Sequence, residues 1–407
     1  MNRFQRKSLP ENLDYNTATT WEKLRYSLRS WRYIGVGKSL LIWFLAISII
    51  PLASISFINF LNAYHGLTIV AEKSLNATSQ LRKAYLDTFF TEITEFLETN
   101  SKQKADINLL INLSSEVNKY PSPKVFVKSA QWKSMTDHHR DEFRYLANKN
   151  GFYDIYYIDD KGIILYSLRE ESDLGDNMFS GPLQQTRFAE TARLALESGK
   201  TLFSDLEYYQ PSYNKLSGFF VHPVKLENGK IIGLLALQVT MDRINQIIRQ
   251  EAGYGETGQA YIVGSDGLLR TAFRFGFQDE IMNKRVENQK VKEWVFYLAN
   301  RNNPGLLRER ELDKEKVSTY DSDLNGKYVL GIYRNLDLLE KLGVNWTLIE
   351  EIEHSEAFAY ARKLSDIVKI TFIITIVLVF LTSLLVTRWF VSPIKQLSSW
   401  AKQVAVG

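Results

Sequence analysis

Apolar residues fall into three regimes along this chain: two unbroken runs, one long stretch with three-to-four spacing, and a series of short alternating runs. Ser39 to Leu61, SLLIWFLAISIIPLASISFINFL, has no charged side chain and meets the ~20 residues that a bilayer crossing requires. Pro51 in its middle predicts a kink, which a membrane helix tolerates. The run is too long for a signal-peptide core, and no small-residue cleavage site follows, so an uncleaved anchor is expected. Ile370 to Thr387 is the second unbroken run, with Lys369 able to snorkel at one end and Arg388-Trp389 suited to the interface at the other.

Between these runs the period changes. From Asn62 to about Lys104, Leu67, Val70, Leu75, Leu81, Leu86, Phe89, Ile93, Phe96 and Leu97 recur at three-to-four spacing without proline. This predicts a helix of about 60 Å at 1.5 Å per residue. A helix of that length is expected to pack both on its own domain and on its twin in a homodimer. Residues 105–150 read as shorter helices broken at Tyr120-Pro121-Ser122-Pro123.

The period then drops to two. Tyr153, Ile155 and Tyr157, then Ile163 and Leu165, alternate across an Asp160-Lys161-Gly162 turn. A helix is expected over Pro182–Ser198, closed by Gly199. Strands follow near Leu202-Phe203, over Gly218–Val224 and over Ile231–Val239, the last two joined by the hairpin signal Glu227-Asn228-Gly229-Lys230. A short helix over Met241–Gln250 leads to a second round of the same order. Strands Ala260–Val263 and Leu268–Thr271 flank Ser265-Asp266-Gly267, a helix covers 285–301, and strands cover Lys327–Tyr333 and Trp346–Glu351. From His354 a helix leads into the second span. Strand, turn, strand, helix and strand pair make an α+β class: a long N-terminal helix and two tandem antiparallel-sheet modules, flanked by two transmembrane helices.

Charge gives this arrangement a direction. Residues 1–38 hold eight Lys/Arg against three Asp/Glu, and residues 388–407 add Arg388, Lys395 and Lys402, so the stretch between is net acidic although the chain as a whole is +4. The basic flanks predict both termini on the cytoplasmic side of the membrane and residues 62–369 outside it. This pattern argues for membrane topology and against a nucleic-acid partner. In the cytoplasmic head, a capping box at Thr19–Glu22 opens a helix with Trp21, Leu24, Leu28 and Trp31 on one face, which reads either as a membrane-surface helix or as a plain basic flank. The chain has no cysteine, which excludes disulfides, thiolate nucleophiles and Cys-ligated zinc.

FYDIYYIDDKGIILYS, GFFVHPVKLENGKIIGLLALQVTMDRINQII and GYGETGQAYIVGSDGLLRT, in this order behind a long helix and between two spans, resemble the double Cache family of extracytoplasmic sensors over about 62–360. The last twenty residues, with Pro393 near their start, resemble the opening of a HAMP signalling segment. The resemblances imply seven regions: a tail (1–38), a span (39–61), a stalk helix (62–104), a membrane-distal module (105–252), a membrane-proximal module (253–360), a helix into the second span (361–387) and the start of HAMP (388–407). They also imply a PAS-like fold in each module, a small ligand in the distal one, and an output module beyond residue 407, such as a kinase, cyclase or chemoreceptor module. The family's amino-acid-binding run of Arg-x-Trp-Tyr is absent here.

The remaining motifs weaken on inspection. Gly253–Gly258 matches G-x-G-x-x-G, but it follows a helix and precedes a strand, the reverse of a dinucleotide site, and reads as a linker. Asp321-Ser322-Asp323-Leu324-Asn325-Gly326 starts like a calcium loop, but its twelfth position is Ile332 rather than Glu, so a turn is expected. The five histidines show no metal-ligand spacing. No catalytic triad or carboxylate pair is evident, and no cofactor is implied. Ligand candidates are Asp205, Tyr208, Tyr209 and Tyr213, on a segment expected to cap the first sheet, and Tyr166, Phe220, His222 and Gln238 on the strands beneath it. His222 reads as a core histidine ahead of a ligand contact, and Asp205 equally as a turn cap. The first copy differs from the second in having an acidic loop, Glu170–Asp176, facing the Tyr-rich segment Ser204–Lys215. That difference marks the expected ligand site; an alternative is an outer domain that senses a protein partner or a membrane state without a small ligand.

Overall fold

A computed structural model describes residues 36–249, 255–300, 317–322 and 326–404. The head helix expected over 21–32, its capping box, residues 250–254 of the linker and residues 323–325 of the expected turn lie outside the described residues. Helix α1 (Val36–Asn100) runs without interruption from the first apolar run into the stalk, with Pro51 inside it. Three shorter helices follow, α2 (Lys104–Glu116), α3 (Pro123–Phe126) and α4 (Ala130–Asn150), with the break near Tyr120 that the two prolines predict. Ser129 caps α4 by accepting from Trp132 N at 3.1 Å, and Gly151, at φ +74°, ends it in the left-handed conformation.

The first sheet contains β1 (Phe152–Asp159), β2 (Ile164–Ser167), β3 (Leu202–Tyr209), β4 (Lys215–Lys225) and β5 (Ile231–Thr240), in the order β2-β1-β5-β4-β3, all antiparallel. Helix α5 (Arg187–Ser198) lies between β2 and β3 in sequence. It starts five residues later than the apolar pattern suggests, because Thr186 takes the cap by accepting from Ala189 N. The Tyr-rich segment does not cap the sheet: Ser204–Tyr209 continues β3 as its edge strand. Helix α6 (Asp242–Ile248) leads to the second sheet.

That sheet contains β6 (Gln259–Gly264), β7 (Ser318–Asp321), β8 (Tyr328–Asn335) and β9 (Trp346–Glu353) in the order β6-β9-β8-β7, with α7 (Gln289–Asn300) and α8 (Leu338–Leu342) between strands. The strand expected over Leu268–Thr271 makes only isolated bridges, Val263 with Leu269 and Leu268 with Arg285. The side chain of Arg270 draws this segment toward Asp205 of the first sheet. Strand β7 was not evident in the sequence. Helix α9 (His354–Ala357) precedes α10 (Ala359–Val404), which has Pro393 inside it.

The chain divides into two compact bodies, residues 68–359 and the remainder. In the second body the apolar parts of α1 and α10 are long enough to cross a membrane, and Trp43, Ile47, Ile55, Phe57, Ile373 and Leu385 are exposed on them. In the first body, α1 lies against both sheets. Leu86, Phe89, Phe90, Ile93 and Leu97, at helical spacing, are all buried against the first sheet and the strand ends of the second. Phe90 stands edge-on to Phe203 at 5.7 Å and to Trp346 at 5.8 Å, so one ring touches both sheets. One turn or more earlier, Thr78 and Arg82 hold the buried Glu350 of β9 at 2.5 and 2.6 Å, and Ser79 accepts from Arg334 Nε of β8 at 2.8 Å. Each sheet therefore has one face on the long helix and an opposite face for a site.

Candidate functional site

Strand alternation and its irregularities decide which side chains share the face of the first sheet turned away from α1. A bulge at Tyr153 lets Phe152 point to the helix side, where it meets Phe96 at 5.1 Å, while Asp154 points to the other. Asp154, Phe219 and Gln238 are direct neighbours across β1, β5 and β4, and Tyr156 lies two residues further along the same face. Phe188 of α5 stacks on Phe219 with ring centres 3.9 Å apart and an angle of 7°. Tyr209 packs edge-on to Phe219 at 4.8 Å, which completes an aromatic floor.

A polar layer covers this floor. Gln238, fully buried, accepts from Tyr156 Oη at 2.8 Å and donates to Ser217 Oγ at 2.8 Å and Ser212 Oγ at 3.1 Å. Ser212 Oγ donates to Glu171 at 2.5 Å, and Tyr153 Oη donates to the other oxygen of Glu171 at 2.7 Å. Tyr209 Oη donates to Asp173 Oδ2 at 2.8 Å, while Oδ1 of this fully buried carboxylate has no hydrogen-bond partner. The acidic loop and the Tyr-rich segment thus meet through two hydrogen bonds. Asp154 has a different role, accepting from Ser167 Oγ and from the backbone of Ile155, Leu168 and Arg169, which pins the loop that leaves β2. Burial is the main cause that pushes Asp154 up to about 7 and Asp173 up to about 6, partly offset by the hydroxyls of Ser167 and Tyr209 respectively.

Of the eight candidates read from the sequence, Gln238 and Tyr209 come together on this face. Tyr166, Phe220 and His222 lie on the opposite face. Tyr166 pairs across the strands with Tyr157 and packs on Trp132 and Phe143, Phe220 packs on Phe90, and His222 Nδ1 is 2.8 Å from Thr201 Oγ1. Burial lowers His222 to about 4. Tyr213 is 89% exposed, and Tyr208 donates to Ile281 O at 3.1 Å.

Asp205 sits at the junction of the two sheets. A bulge in β3 places it at φ +63°, and its carboxylate accepts from Arg270 Nε at 2.7 Å and Nη2 at 2.8 Å, and from Trp346 Nε1 at 2.9 Å. Arg187 approaches Oδ2 at 3.4 Å, and Asp266 holds the other edge of Arg270 at 2.9 and 3.0 Å. Two cations and two anions therefore balance in this cluster. Asp266 falls below the usual carboxylate range because the hydrogen bond and charge of Arg270 outweigh its burial. Missing from the sequence reading as site residues were Tyr156, Phe188, Ser217 and Phe219, whereas Asp173 and Ser212 lie within the acidic loop and the Tyr-rich segment that it marked. The alternation of FYDIYYID could have flagged Tyr156 once its partner strand was known.

This face combines aromatic walls with a few buried polar anchors. The Cache domain model matches residues 68–361, and the chain belongs to that family. No match is found among the curated proteins. Among solved structures, the chain is similar to the ligand-binding domain of the Pseudomonas aeruginosa amino acid chemoreceptor PctB in complex with L-Arg, at 15% identity and a TM-score of 0.39, covering 71% of this chain and 97% of that one. It is similar to the ligand-binding domain of the Pseudomonas fluorescens chemoreceptor CtaA in complex with L-leucine at 12% identity and a TM-score of 0.44, covering 72% and 99%. A third similar structure is the sensory domain of the Campylobacter jejuni chemoreceptor Tlp3, at 11% identity and a TM-score of 0.46, covering 72% and 98%.

Proposed function

We propose that this chain is a transmembrane receptor that binds a small extracytoplasmic molecule between the first sheet and the α5 and acidic-loop layer that covers it. The observation that carries this reading is Asp173: a fully buried carboxylate with one oxygen held by Tyr209 and the other without a partner, beside the Phe188–Phe219 stack. Leaving a buried acceptor unpaired costs about 1–3 kcal/mol, and a ligand donor would recover that cost. Family membership and the two apolar helices that flank the domain support a receptor in a membrane, and the basic flanks support both termini on the cytoplasmic side. The signal would pass as a displacement of α10 in a homodimer to an output module, through the HAMP-like segment that the sequence after Arg388 resembles.

The test is thermal unfolding of the full chain in lipid nanodiscs against a metabolite panel. A ligand at a hundred times its dissociation constant stabilises by about 2.7 kcal/mol, and Asp173→Asn should weaken that effect. If no compound shifts the unfolding of the wild type, the domain senses a protein partner or a membrane state instead.

A further inference from the structure

The second sheet also has a face turned away from α1, and a cavity of about 130 Å³ opens beside it. Its floor is Glu351 of β9, which is 2% exposed. Oε1 accepts from Gln259 Nε2 at 2.7 Å and Ser322 Oγ at 2.8 Å, and Oε2 accepts from Tyr320 Oη at 3.0 Å and Tyr261 Oη at 3.3 Å. All four donors are neutral. Among the described residues no cationic side chain is within ion-pair distance of Glu351, in contrast to Glu350, which has Arg82 at 2.6 Å on the other face of the same strand. Four dipoles satisfy the lone pairs of Glu351, among the described residues no cation pairs with it, and burial pushes its carboxyl above the usual range.

A second observation comes from Gln259, which lines the same cavity and is 3% exposed. Its amide nitrogen is committed to Glu351, and its Oε1 has no hydrogen-bond partner. Exchanging the two ends of the amide would set its oxygen against the carboxylate, so chemistry fixes this orientation. The cavity wall therefore presents an unused acceptor beside an uncompensated carboxylate. Glu256 and Glu353 add two carboxylates at the margin, where Lys327 pairs with Glu353 at 2.6 Å. Among the described residues Arg274 is another cation of this region, and its Nη1 is turned to the carbonyls of Gly255 and Gly258. Phe275, Val329 and Ile352 supply apolar wall. A lone water needs roughly 10–15 Å³, so this volume suits several heavy atoms, well below a drug-sized pocket.

We propose that this cavity is a second ligand site, selective for a small organic cation: a primary ammonium group directed at Gln259 Oε1 and Glu351, with a short alkyl chain against Val329 and Phe275. It is separate from the site on the first sheet and does not depend on that reading.

The experiment titrates methylammonium, ethylammonium and propylammonium into the full chain in nanodiscs by calorimetry and thermal unfolding, with ethanol and tetramethylammonium as controls. Saturable binding of a primary ammonium and none of ethanol is expected. Glu351→Gln should weaken binding roughly tenfold or more, because the ammonium loses the opposite charge beside it while the Gln259 acceptor remains. Val329→Met, which fills the apolar side and leaves the carboxylate in place, should also abolish binding, and it decides the matter if Glu351→Gln does not fold. Asp173→Asn should leave ammonium binding unchanged. The proposal is overturned if none of the three ammonium ions binds, if ethanol binds equally well, or if binding survives Val329→Met.

Discussion

Arg270 grips Asp205 across the boundary between the two sheets, with Nε and Nη2 each within 2.8 Å of a different carboxylate oxygen. The arginine is 1% exposed. Trp346 completes the contact from β9, and its ring lies in the cluster formed by Phe90 and Phe203. The two modules therefore meet in a shared cluster, beside a further cluster around Tyr261, Phe273 and Trp294 within the second.

Removing one partner of a buried ion pair leaves the other charged and unsatisfied. Asp205→Ala should lower stability by about 3–5 kcal/mol, read from denaturant unfolding of the full chain. Arg270→Met in the same background should restore part of that loss, because the buried guanidinium left with Asp266 alone disappears. Additive losses in the double variant would contradict the pairing.

Asp173 gives a dependence on pH with a definite sign. Its folded-state value of about 6 lies above its ordinary value of 3.8. Between these limits the folded chain holds a proton that the unfolded chain has released, so this group's contribution to stability falls as pH rises, by about 1.4 kcal/mol for each step of one in pH across that window. Asp173→Asn keeps an acceptor for Tyr209 and removes the titration. Relative to wild type it should therefore gain stability as pH rises from about 4 to 6, and a pH-independent difference in melting temperature would sink the idea.

His222 behaves in the opposite sense. Buried beside Thr201, it is lowered from 6.5 to about 4. Its neutral form is stabilising above pH 6.5, and that contribution is lost as pH falls toward 4. An NMR titration of its ring carbons should show a midpoint well below that of an exposed histidine.

Gly331 permits the approach of Tyr320 to Glu351. A Cβ at position 331 would overlap the Tyr320 ring and hydroxyl. Gly331→Ala should cost about 1–3 kcal/mol as an overpacked site, while an alanine at Gly66, where a Cβ meets no atom within 4 Å, should cost far less. Equal melting temperatures for the two variants would refute the steric argument.

Much of the architecture could be read from periodicity. The change from three-to-four spacing to alternation near Phe152 separates helix from sheet, and the Asn-Gly turn at 228–229 joins β4 to β5 as expected. The site was less legible because face assignments depend on bulges. The irregularities at Tyr153 and at Phe203–Leu206 shift the parity of β1 and β3, and no local signal marks them. Asp205 looked like a ligand carboxylate because its partner lies 65 residues away in the chain. The acidic loop and the Tyr-rich segment could be paired because their contrast with the second module is compositional, which needs no knowledge of register.

Position 205 combines two demands that rarely coincide: a left-handed backbone and a buried negative charge. Asn and Gly satisfy the first without the second, and Glu satisfies the second at a conformational cost of order 1–3 kcal/mol. The sequence neighbourhood of this fold is therefore narrow at this point. A descendant that loses Arg270 gains by changing Asp205 to Asn or Gly in the same step, and drift at the two positions should be correlated.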